Sequence, residues 1–88
     1  MPGPPIPEPE LRSLVRERIA TNSVPVTLVT SLYAGYGNDE PCCICGEAIQ
    51  RSQIEYHVPI SNIHFAFHMT CYALWQLECA GLIRNADR

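Results

Sequence analysis

Apolar positions recur along the chain with two different periods. Leu11, Leu14, Val15 and Ile19 follow one another at helical spacing, with Arg12, Arg16 and Glu17 off that stripe. This places one apolar stripe on a short helix of about three turns, which has to bury it against something. Pro9 fits a first turn, and Glu8 and Glu10 suit the positive end of a helix dipole. The pattern therefore predicts a helix over 9–22, ended by Thr21-Asn22-Ser23, with Pro25 preventing its return. Further on the period falls to two. Ile54, Tyr56 and Val58 alternate with Glu55 and His57, and Ile63, Phe65 and Phe67 alternate with His64 and Ala66. These are two half-buried strands, the first stopping at Pro59. Ala48 and Ile49 are expected to begin another strand, reversed at Arg51-Ser52. From Thr70 the helical period returns through Met69, Tyr72, Ala73, Leu74, Trp75, Leu77 and Ala80, with Gly81 as a natural stop. On this helix His68, Cys71, Tyr72, Trp75 and Cys79 share a face. Leu74 and Leu77 point elsewhere, towards the first helix or another chain.

The remaining stretches lack a clear period. Residues 1–8 hold four prolines and a glycine and read as a disordered tail. Val24 to Tyr33 is rich in β-branched residues and reads either as a strand or as an irregular cover over the core. Tyr33 to Asp39 reads as a turn-rich loop whose tyrosines pack as lids. Its Gly35-x-Gly37 lacks the third glycine and the strand-to-helix setting of a phosphate loop. Residues 84–88 are charged and expected to fray. The organisation is then a single domain over 9–83, with its chemistry concentrated in 41–80.

Size and charge narrow the function classes. A chain of 88 residues is one domain at most, and domains this small often depend on a metal, disulfides or oligomerisation. The 47% hydrophobic content argues against disorder, while 17% charged residues fall below the usual ~25%. So few charges favour a homodimer or a protein-docking surface. The net charge of −3 gives no general attraction for phosphate backbones. Arg12, Arg16 and Arg18 are the basic group that keeps nucleic-acid binding as a lesser alternative. No apolar run is long enough to span a membrane, and the first residues carry no signal-peptide pattern. Five cysteines, two of them adjacent, make a poor disulfide framework, which points to a reducing cytoplasm.

The chemistry lies in Cys42-x-x-Cys45 and His68-x-x-Cys71, separated by 22 residues. Zinc favours four tetrahedral sulfur and nitrogen ligands, and a CxxC turn supplies two of them. Residues three apart on a helix share a face, so His68 and Cys71 reach the same ion. Four protein ligands close the coordination shell, which marks a structural rather than a catalytic site. An alternative set of Cys42, Cys45, His64 and His68 requires both histidines on one helix, whereas His64 falls in an alternating strand. A two-metal cross-brace lacks a second separated pair. Redox use of Cys42 and Cys45 is disfavoured by Gly46, which makes a knuckle turn rather than a helix start. Haem attachment is excluded because Gly46, not His, follows Cys45. Cys79 reads as a buried small hydrophobe, Cys43 as incidental and Trp75 as core. Glu47, Glu55 and His57 read as exposed strand residues; no nucleophile–base arrangement or paired carboxylates stand out, so the chain is not expected to be an enzyme.

The order Cys42-x-x-Cys45-Gly46, hairpin, then His68-x-x-Cys71 opening a helix resembles the treble-clef zinc finger over about residues 41–80. The wording of Cys42 to Ile49, Ile54 to Tyr56 and His68 to Cys79 is similar to a group of small, uncharacterised bacterial CxxC…HxxC proteins. The resemblance implies an α+β fold of knuckle, β-hairpin and C-terminal helix, with the first helix added, and one structural Zn2+ on Cys42, Cys45, His68 and Cys71. It implies no activity. The expectation is a zinc-stabilised, protein-binding interaction module. The alternatives are a nucleic-acid-binding zinc protein and a thiol or zinc redox sensor involving Cys43 or Cys79.

Overall fold

In the computed structural model, which describes residues 6–86, the first apolar stripe forms helix α1 (Glu8–Ala20) and buries Leu11 and Val15. Pro7 caps its start through the backbone, with its carbonyl accepting the Leu11 N–H at 2.9 Å. The helix ends two residues before the predicted boundary. Asn22 takes a left-handed φ of 61°, Ser23 N–H returns to the Arg18 carbonyl and Asn22 N–H to that of Ile19. This is a Schellman-type close with asparagine in the position usually held by glycine. Residues 1–5 of the expected tail lie outside the described residues. Ile6 already packs against the core.

The sheet has three antiparallel strands in the order β1 (Tyr33–Tyr36), β2 (Ile54–Ile60), β3 (Ile63–His68). Ser61 and Asn62 both have positive φ and join β2 to β3 by a two-residue turn of the kind that matches strand twist. Four sequence expectations need correction here. Tyr33 to Tyr36 is a strand, not a loop; it pairs with β2 from Tyr33↔His57 to Tyr36↔Ile54. Its tyrosines are no lids, being 67% and 76% exposed. Strand β2 does not stop at Pro59. Counted from the turn, Pro59 and His64 form a pair without backbone hydrogen bonds, so the missing N–H points to the other edge, where β1 has already ended. Ala48 does not begin a hairpin strand; it makes an isolated bridge to Pro41. Arg51-Ser52 does form the turn leading into β2.

Helix α2 (Met69–Ala86) follows β3 directly. It runs through Gly81, where a stop was expected, because Gly81 does not adopt the left-handed backbone that such a stop requires. The last residues of the expected frayed tail, 87–88, lie outside the described residues. Trp75 stacks on Phe67 with ring centroids 4.7 Å apart. Around this pair lie Val58, Ile44, Ile49, Val15 and Cys79, all fully buried. Leu74 is buried with them, whereas Leu77 is exposed.

Residues 24–32 form an irregular cover, held by side chains of α2. Trp75 Nε1 donates to the Pro25 carbonyl at 2.9 Å. The Gln76 amide donates to the Thr27 carbonyl and accepts the Val29 N–H, at 2.9 and 2.8 Å. Helix α1 packs on α2, with Arg16 3.0 Å from Glu78.

Candidate metal centre

The Cys42–Cys45 turn is fixed by its own backbone. Gly46 N–H bonds the Cys42 carbonyl at 3.0 Å, and Cys42 N–H bonds the Glu47 carbonyl at 2.9 Å. Closing the turn this way needs the left-handed φ of 78° at Gly46, which is cheap only for glycine. The knuckle is then seated on the fold from two sides. Cys43 N–H donates to the Ala66 carbonyl of β3 at 3.0 Å, and Arg18 of α1 donates to the Ile44 carbonyl at 3.0 Å. Opposite it, His68 ends β3 and Cys71 lies in the first turn of α2. The strand-to-helix junction thus carries the second pair, with the positive end of the helix dipole beside the Cys71 sulfur.

These elements bring Cys42, Cys45, His68 and Cys71 together, with one ligand atom from each lying within 4.8 Å of all the others. His68 presents Nδ1 to Cys45 Sγ at 3.4 Å. Arms of ~2.3 Å to sulfur and ~2.0 Å to nitrogen give a tetrahedral S···N edge of about 3.5 Å, so this edge already has the span a zinc ion needs. The donor set of three sulfurs and one imidazole, with Cys42 and Cys71 buried and Cys45 and His68 half-buried, fits one metal ion. His64 is exposed on β3 and is not in the group.

The thiols share protons unequally. Cys42 is held down to about 4, first by a bond from the Cys71 thiol and then, against the opposing effect of burial, by the N–H groups of Cys45, His68 and Ile44. The Ile44 N–H lies 3.4 Å from its sulfur. Cys71 is pushed up by the same bond to Cys42 and by burial. Cys45 is raised mainly by burial. The pocket thus favours one thiolate and keeps its neighbours protonated, which primes it for a cation that replaces those protons.

The other cysteines stand apart. Burial, then the charge on Cys42, pushes Cys43 up to about 12. Burial also raises Cys79, whose S–H lies 3.7 Å from the Pro25 carbonyl. His57 rests against His64, ring centroids 5.7 Å apart. Glu55 departs from its expectation as an exposed strand residue, since its side chain is only 13% exposed. The signal for this lay in register: Glu55 pairs across the hairpin with His68. No protein-family model matches the sequence, and neither a curated protein nor a solved structure shows significant similarity to it.

Proposed function

We propose that this chain is a structural zinc module of treble-clef-like arrangement that works as a protein-interaction domain in the cytoplasm, without enzymatic activity. The convergence of Cys42, Cys45, His68 and Cys71 within 4.8 Å carries the reading. One Zn2+ there joins the knuckle to the strand–helix junction and closes its own coordination shell, so it supplies structure rather than a reactive water. The order of knuckle, β2–β3 hairpin and α2 supports the treble-clef comparison. Metal analysis of the purified protein tests the zinc assignment. One zinc per chain is expected, lost in Cys45→Ser and in Cys71→Ser; a metal-free protein with native fold rejects it.

The interaction role is supported by apolar side chains left at the surface. Tyr33 and Tyr36 stand on β1 at a sheet edge, and Leu77 and Leu82 are exposed on α2. Edge strands and exposed apolar groups are where partners dock. Among the described residues no helix is long and apolar enough to cross a membrane. Sedimentation across a wide concentration range tests self-association. A dimer weakened by Tyr33→Ser with Tyr36→Ser is expected, and a strict monomer at high concentration removes the homodimer from the proposal.

A further inference from the structure

Glu55 Oε1 is buried and has no hydrogen-bond partner among the described residues. The other carboxylate oxygen, Oε2, lies 3.5 Å from His57 Nε2. A buried carboxylate oxygen without a donor is costly, so the position calls for a donor. The register supplies a neighbour. Glu55 stands directly across from His68 on β3. Counted from the Ser61-Asn62 turn, this pair belongs to the closely spaced kind that exchanges no backbone hydrogen bonds, and its two side chains rise side by side from one face.

His68 directs Nδ1 towards Cys45 Sγ. Ligation through Nδ1 leaves the proton on Nε2, and a ligating imidazole needs an acceptor there to fix its tautomer and ring orientation. We propose that Glu55 is the positioning residue for His68: Oε1 accepts the Nε2–H of the metal-bound imidazole, while Oε2 stays with His57. The inference rests on the zinc reading above. It gives Glu55 and His57 a role in a chain of contacts running from the metal to the outer face of the sheet.

The test compares wild type, Glu55→Gln and Glu55→Ala as full-length zinc-loaded proteins. Glutamine keeps an acceptor oxygen, and alanine removes it. Zinc affinity, read by competition with a chromophoric chelator, should fall about ten- to a hundredfold in Glu55→Ala and much less in Glu55→Gln. In nitrogen-15 imidazole spectra the His68 Nε2–H should exchange slowly in wild type and quickly in Glu55→Ala. Equal zinc affinity in wild type and Glu55→Ala overturns the inference. So does a rapidly exchanging Nε2–H in the wild type, which needs no variant to fold. Failure of the wild type to bind zinc at all overturns the zinc reading and this inference with it.

Discussion

Two glycines show how single residues set the site. Gly46 holds a left-handed φ with open space around it, so Gly46→Ala costs only the backbone strain, about 1–2 kcal/mol. Gly37 is constrained differently. A Cβ there would run into the backbone carbonyl oxygens of Ile49 and Gln50, and backbone cannot swing aside. Gly37→Ala should therefore destabilise the zinc-loaded protein more than Gly46→Ala in chemical denaturation, although it lies outside the ligand set; an equal or smaller effect contradicts the close packing of these segments. The ligand thiols make a second prediction. Cys42 is already a thiolate at neutral pH, whereas Cys45 and Cys71 hold their protons above the ordinary thiol range. The metal-bound form thus carries fewer protons than the metal-free form, and affinity must rise with pH and fall with acid. Zinc binding near pH 7 should release on the order of two protons, a change of about a hundredfold in apparent affinity per pH unit. Calorimetry in buffers of different ionisation enthalpy counts those protons, and a pH-independent affinity contradicts the arrangement.

At the scale of elements, the segment from Pro25 to Val29 has no ladder of its own and depends on α2. Gln76 alone satisfies a carbonyl and an N–H there. Gln76→Ala should cost about 1–3 kcal/mol, with hydrogen-exchange protection lost at the Val29 amide before the β2–β3 amides. Uniform loss across the sheet would argue against a locally pinned cover. The same contrast explains what was legible in the sequence. Helix α1, the β2–β3 hairpin and α2 each carry an apolar period that their own residues write. So do the ligand pairs, because CxxC and HxxC are local spacings. Strand β1 was not legible: Tyr-Ala-Gly-Tyr has no period to read, and becomes a strand because the free edge of β2, some twenty residues later, pairs with it. Pro59 and Gly81 signal stops in isolation, but pairing geometry at one and continued helical backbone at the other override them. Glu55 looked like a solvated strand residue because its burial depends on cross-strand register, which alternation alone does not give.

At the scale of the whole molecule, backbone bonding between the knuckle and the hairpin–helix unit is sparse among the described residues, with Cys43 N–H to the Ala66 carbonyl as its link to β3. The Cys43–Ala66 bond, the Arg18–Ile44 bond and the Pro41–Ala48 bridge hold the knuckle's position and its arms. The core is small, built chiefly on the Trp75–Phe67 pair. A metal bound to both pairs is a cross-link between distant parts of the chain, and its binding free energy becomes folding free energy. Helix α1 and the 24–32 cover rest on α2, so they too should loosen when the metal leaves. An amide proton–nitrogen spectrum of the full chain, recorded in a strong chelator and again after one equivalent of zinc, tests this most directly. Collapsed dispersion over residues 41–80 in chelator, with full recovery on adding zinc, is the expected result. A well-dispersed spectrum in chelator, unchanged by zinc, would contradict it.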